Sequence, residues 1–124
     1  MLNGKLRVFF LAGLIFVCSR QAQGVIFHNI DTTRPLQCAF SKQHQNRIAV
    51  KDGRVKKVIA PESIFSVHLE NESGQLFVYS LDEFDGRVTL SVITDSGSVQ
   101  DLEIWLEEKS AEVVILKEPS PLDL

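Results

Sequence analysis

The sequence of 124 residues contains two cysteines, one tryptophan, one tyrosine and one methionine, and lacks any apolar run of membrane-spanning length. The longest such run, residues 8–17, would reach only about 15 Å as a helix, roughly half a hydrocarbon core. Positive charge is not in surplus, since 13 Lys+Arg face 16 Asp+Glu. That balance argues against a sequence-blind nucleic-acid binder, which neutralises phosphates with an excess of cations. Catalytic and metal signatures are absent too. There is no G-x-S-x-G elbow, no phosphate-binding G-x-x-x-x-G-K-[ST] loop and no CxxC or HExxH spacing, and His28, His44 and His68 stand far apart. These absences disfavour a hydrolase, a nucleotide-binding enzyme and a zinc site, and no cofactor is expected.

What the chain does have is an asymmetric start. Lys5 and Arg7 precede the apolar run, and no acid occurs before Asp31. A charged beginning, an apolar middle and the small residues of Ala22-Gln23-Gly24 form the pattern of a secretory signal peptide. Residues 1–24 are read as that signal, with cleavage after Gly24 and Ala22 as the other small residue of the site. Two alternatives are an uncleaved anchor and a lipoprotein signal acylated on Cys18, although the residue before that cysteine is the branched Val17 rather than a small one. Cleavage would leave Cys38 alone and unable to close an internal disulfide. Alternation places Cys38 on the face shared by Leu36 and Phe40, so burial is expected, with pairing to another chain as the alternative.

Beyond Leu36, short apolar stretches alternate with turn signals, and none sustains helical periodicity over three turns. The pattern predicts an all-β domain, a small antiparallel β-sandwich of about eight short strands. They are expected at residues 36–41, 46–50, 54–59, 64–69, 75–80, 87–94, 99–106 and 113–116. Asp52-Gly53 is the clearest hairpin signal, suited to a type I′ turn, and Glu72-Ser73-Gly74, Asp85-Gly86 and Asp95-Ser96-Gly97 mark later corners. Pro61 should end the third strand, because it lacks the N–H that a ladder uses. Residues 25–35 begin apolar and are then broken by Asn29, Asp31, Thr32, Thr33 and Pro35. They read as a flexible leader with room for a short strand, and the Pro-containing residues 117–124 read as a tail. A domain of about 80 residues is marginal alone and gains from a partner.

Candidate partner contacts follow from the alternation. Residues 75–80 are apolar on both faces, with Phe77 and Tyr79 opposite Leu76 and Val78, yet a sandwich has a single interior. On residues 99–106, Trp105 falls on the outward face beside Asp101, Glu103 and Glu107. There it is either an interface anchor or folded over the open end of the sandwich or under the tail. Arg47, Lys51, Arg54, Lys56 and Lys57 form the one basic cluster, read as charge that blunts a sheet edge or, alternatively, as a surface for an acidic partner. The acidic turn 82–86 lacks calcium-loop spacing and reads as solvated. Asn71-Glu72-Ser73 fits a glycosylation triplet that matters only in a eukaryotic host.

The segments Asn46-Arg47-Ile48-Ala49-Val50, Gly53-Arg54-Val55 and Gly74-Gln75-Leu76-Phe77-Val78 are followed by the strand 88–94, Asp95-Ser96-Gly97, Asp101-Leu102-Glu103-Ile104 and Ala111-Glu112-Val113-Val114-Ile115-Leu116. In order and spacing this series resembles the TraK family of F-type conjugative type IV secretion systems, over residues 36–116. The resemblance implies a non-enzymatic, periplasmic, outer-membrane-associated subunit of the secretion-channel core. It further implies a ring built with a TraV-like lipoprotein and a TraB-like scaffold, without direct nucleic-acid contact. Family members carry a second β domain that is not matched here, so a separate companion chain or a truncated relative is expected. Interface candidates on this reading are Trp105, Phe77 and Tyr79, then Arg47 and Arg54. The other readings are a free periplasmic binding or chaperone-like sandwich that accepts a client strand at its edge, and a small hydrolase.

Overall fold

Strand alternation in the sequence becomes two stacked sheets in the computed structural model, which describes residues 24–119. The strands are β1 (Gly24–Asn29), β2 (Leu36–Ser41), β3 (Asn46–Lys51), β4 (Val55–Ile59), β5 (Phe65–Glu70), β6 (Gln75–Ser80), β7 (Val88–Thr94), β8 (Val99–Glu107) and β9 (Glu112–Lys117). One sheet has the order β1-β9-β3-β6-β5 and the other β2-β8-β7-β4. The all-β sandwich expected from the alternation is therefore the fold, and all eight expected strands occur within a residue of their expected ends. The signal segment, with Cys18 and Ala22, lies outside the described residues, as does the tail beyond Pro119.

Three features differ from the sequence reading. The sheets are mixed rather than antiparallel, because β1 with β9, β2 with β8 and β3 with β9 run parallel. Most consecutive strands here change sheets, so neighbours within a sheet come from distant parts of the chain and need not alternate in direction. Only β5–β6 and β7–β8 are hairpins of consecutive strands.

The second difference follows from the first. Asp52-Gly53 is not a hairpin, since β3 pairs with β6 and β9 while β4 pairs with β7. It is a corner between sheets. Asp52 alone takes a left-handed φ of 56°, which aspartate tolerates, and Gly53 does not.

Third, the leader is built in. Val25, Ile26 and Phe27 belong to β1, and the Ile30 N–H donates to the Lys117 carbonyl at 2.9 Å. Buried Gln100 then holds the following residues: its Oε1 accepts from the Asp31 N–H at 2.8 Å, and its Nε2 donates to the Arg34 carbonyl at 3.0 Å.

Between the sheets lie the inward residues of both, among them Phe40, Ile48, Leu76, Leu90, Leu102, Ile104, Val114 and Leu116, all fully buried. Cys38 is buried with them, and burial pushes its thiol up to about 12, with the Glu112 carboxylate adding to the shift and Lys109 opposing it. Two strands that are apolar on both faces, β9 and β6, lie inside their sheet rather than at its edge. At the carboxy end, Glu118 is gripped by hydroxyls of the β7–β8 hairpin. Thr94 and Ser96 donate to its Oε1 at 2.7 and 2.6 Å, and Ser98 donates to its Oε2 at 2.7 Å.

Three carboxyls acquire such partners on folding, which sets an acid limit. Burial pulls Glu118 upward, and the hydroxyls of Ser96, Thr94 and Ser98 together outweigh it, so its pKa lies below the ordinary 4.5. Glu70 is lowered by the Ser73 hydroxyl and by the Ser73 and Glu72 N–H groups, and Asp31 by the Thr33 hydroxyl and N–H. A depressed folded-state pKa contributes stability that is present above the unfolded value and is lost as pH falls through the folded one. Urea midpoints are therefore expected to be level above about pH 5 and to decline toward pH 3. Glu118→Gln should flatten part of that decline. A midpoint unchanged across the window would contradict the assignment.

Candidate assembly surface

A sandwich has two outer faces, and here they differ in chemistry. On the first sheet, outward positions alternate with the core residues: Val25 and Phe27 of β1, Val113 and Ile115 of β9, Arg47 and Ala49 of β3, and Phe77 and Tyr79 of β6. Register aligns several of them in one row, in which Val25 is opposite Val113, Val113 opposite Arg47, Arg47 opposite Phe77, and Phe77 opposite His68 of β5. A second row joins Phe27, Ile115 and Ala49. The side chains are open to solvent at the rim of this face, with Phe27 74%, Val25 50% and Tyr79 43% exposed. Phe27 beside Val25 leaves apolar surface open at the β1 edge, and Tyr79 opens on the same face further in, on β6. Arg47 lies on the face between them and is held in place, its Nη1 donating to Gln75 Oε1 at 2.8 Å.

The outer face of the second sheet is mixed: Asp101, Glu103 and Glu107 of β8 surround Trp105 at one end, and Val99, Ile93, Lys57 and Ile59 lie at the other, with Ile59 57% and Val99 38% exposed. Trp105 is half-buried on this face. Its Nε1 donates to Glu107 Oε2 at 2.8 Å, and the Arg87 guanidinium carbon sits 4.8 Å from the ring centroid. Arg87 also meets Glu103 at 3.4 Å. This cation over an aromatic face fixes the indole on the outside of the sheet. The described part of the tail does not cover it, because Glu118 is bound at the other end of β8.

The structure thus brings together Phe77, Tyr79 and Arg47 and separates them from Trp105. Arg54 stands apart from both groups, in the β3–β4 corner. Its N–H donates to Asp95 Oδ1 at 3.3 Å, its carbonyl accepts from the Asp95 N–H at 3.0 Å, and its guanidinium reaches the Asn71 carbonyl. Lys56 and Lys57 lie on β4, an edge strand whose register shifts between Val55 and Lys57. A bulge and exposed lysines are the usual means of keeping an edge from pairing with strangers. The opposite situation holds for β1, which is an edge strand without a charged residue.

Sequence reasoning missed Val25, Phe27 and Ile115 as outward apolar residues, and Val113, which shares their parity but is only 2% exposed. The signal was present in Val113-Val114-Ile115-Leu116, which is apolar at every position as residues 76–79 are, and so has a face left over once the core is filled. Gly24, the expected cleavage residue, is described as the first residue of β1. Among the described residues no three His, Cys, Asp or Glu side chains converge as metal ligands, and no helix is long and apolar enough to cross a membrane.

No curated protein matches the chain. A family model does: that of the TraK N-terminal domain, over residues 29–121, which takes in the 36–116 stretch where the resemblance was read and extends it at both ends. That match spans most of the sequence and all but the first five described residues, so the chain belongs to the TraK family, periplasmic structural components of conjugative transfer and type IV secretion, through its N-terminal domain.

Proposed function

We propose that the protein is a non-enzymatic structural subunit of the outer-membrane core complex of an F-type conjugative type IV secretion system. It would be secreted by a signal peptide cleaved after Gly24 and held in a ring by burial of the outer face of its first sheet. The observation that carries this reading is the exposure of Val25 and Phe27 on the uncharged β1 edge, with Tyr79 open on the same face of the sheet, on a chain of this family. Its partners would be a TraV-like lipoprotein and a TraB-like scaffold. Direct nucleic-acid contact is disfavoured because residues 25–124 carry 10 basic and 16 acidic groups.

The two outer faces can be tested separately by co-purification from envelope fractions. Phe27→Ser removes the most exposed aromatic of the first sheet's outer face without touching the core, and should cut recovery of partner subunits by about tenfold or more. Trp105→Ala addresses the outer face of the second sheet and should leave the domain folded while weakening assembly. Wild-type recovery of partners by both variants would overturn the reading, as would a processed protein that is monomeric and unattached in the envelope.

One observation keeps a second reading open to test. The uncharged edge of β1 borders a shallow groove lined by Phe27, Asn29, Thr32, Ser98 and Pro119, as a module accepting a client strand would require. A stable monomer that binds an extended peptide along β1 would favour that module over a ring subunit.

A further inference from the structure

The parallel register of β1 and β9 sets Gly24 directly opposite Glu112. The Glu112 side chain is only 5% exposed. One of its oxygens, Oε2, takes the ammonium of Lys109, whereas Oε1 is buried and has no hydrogen-bond partner among the described residues. That free oxygen is aimed at the start of β1: a Cβ placed on Gly24 would sit 3.2 Å from it and 3.7 Å from Oε2. A buried carboxylate oxygen left without a donor is costly, and buried charge is normally matched by more than one polar contact. His28, whose Nε2 is also buried and unpartnered, cannot serve, since it pairs with Leu116 farther along β9. Lys109 is already engaged and also reaches the Ala39 carbonyl at 3.4 Å. Cys38, the remaining titratable neighbour, is a neutral thiol whose ionisation Glu112 opposes.

Among the described residues, no cation reaches the site from the direction of Gly24. We propose that Glu112 is the receptor for the α-ammonium that signal cleavage leaves on Val25, so that processing closes a buried ion pair and fastens β1 to β9. In that step water adds across the Gly24–Val25 amide and the C–N bond breaks. The hydroxyl goes to the Gly24 carbonyl carbon, which departs as a carboxylate with the leader, and the Val25 nitrogen gains protons to become the ammonium. A glycine at this position, where any Cβ would crowd the carboxylate, lets the unprocessed strand lie against Glu112 without displacing it. The proposal rests on the secretion reading above and adds to it a reason why the cleaved form is the more firmly closed one.

The test uses the full chain expressed with its leader and recovered from the periplasm. Intact mass identifies the first residue, and 2-pyridinecarboxaldehyde, which condenses selectively with α-amines, reports how free that amine is. A chain starting at Val25 whose amine labels at least about tenfold more slowly in the folded state than in urea is the expected result. Glu112→Gln should restore fast labelling. If that variant does not fold, the wild-type protein suffices, because capping its amine should lower its melting temperature by about 4 °C or more. A Val25 amine that labels as fast folded as unfolded, or whose capping leaves the melting temperature unchanged, overturns the proposal alone. A mass that still includes residues 1–24 overturns cleavage after Gly24, and this inference with it.

Discussion

Asn46→Ala is expected to destabilise the protein by about 4 kcal/mol, enough to unfold much of a small domain. Asn46 is 1% exposed and joins four parts of the chain. Its Oδ1 accepts from the Ser41 N–H at 2.9 Å and the Glu112 N–H at 3.0 Å. Its Nδ2 donates to the carbonyls of Ser41 at 3.2 Å, His44 at 3.3 Å and Val78 at 3.3 Å. The ends of β2 and β9, the β2–β3 turn and β6 therefore share one amide, and two of those strands lie in different sheets from each other. Alanine strands two backbone donors where water does not reach, each costing about 1–3 kcal/mol. Asn46→Asp is expected to fare no better, because a carboxylate oxygen would then face three carbonyls. Urea denaturation followed by circular dichroism measures both, and a loss under about 1 kcal/mol for Asn46→Ala would show that water or a neighbour replaces the amide.

Gly74→Ala is the second large effect, at about 3 kcal/mol. Gly74 adopts a φ of +68°, where a side chain is disfavoured, and an added Cβ would meet the Arg54 Cβ at 2.6 Å and its Cα at 3.0 Å. Neither side can retreat easily. The Gly74 N–H donates to the Glu70 carbonyl and the Val55 N–H donates to the Gly74 carbonyl, both at 2.8 Å, so the β5–β6 hairpin and the start of β4 are bonded through this residue. Gly86 and Gly97, with φ of +81° and +91° and open space around them, provide the control. Alanine there should cost only about 1 kcal/mol, the backbone part of the penalty. Thermal melts would then separate Gly74→Ala from the other two by roughly 10 °C. Equal effects at all three positions would mean that the close approach to Arg54 relaxes.

Alternation carried the strands, because in a two-layer domain a residue's face is decided by its immediate neighbours. Leu102, Ile104 and Trp105 each lie on the side that their spacing implies. What alternation cannot carry is which strand sits beside which. Asp52-Gly53 has the composition of a hairpin, but turn chemistry reports only the local backbone, and the next strand joined the other sheet. The same limit made parallel pairing invisible, since nothing in residues 24–29 names Glu112 and its neighbours as their partners. Residues 25–35 looked unstructured because their polar groups are satisfied by distant ones, as the Asp31 N–H is by Gln100. Of the assembly candidates, Phe77 and Tyr79 were legible together from the surplus apolar face of β6, whereas the place of Arg47 opposite Phe77 was not. Val25 and Phe27 were hidden within the supposed leader. The mismatch in character between the two outer faces emerged only with the strand order.

The placement of β9 between β1 and β3 bears on how the molecule is made. Its last strand is the wedge on which one whole layer closes, and β2 likewise waits for β8. Nothing synthesised earlier can stand in, so a nascent chain arrested before Glu112 leaves β1 with no neighbour in its sheet. Completion is then a late, long-range event, and such closures are slow because distant ends must first find each other. For a domain of a periplasmic family that delay is useful, because the fold stays pliable until residues 112–117 are in place.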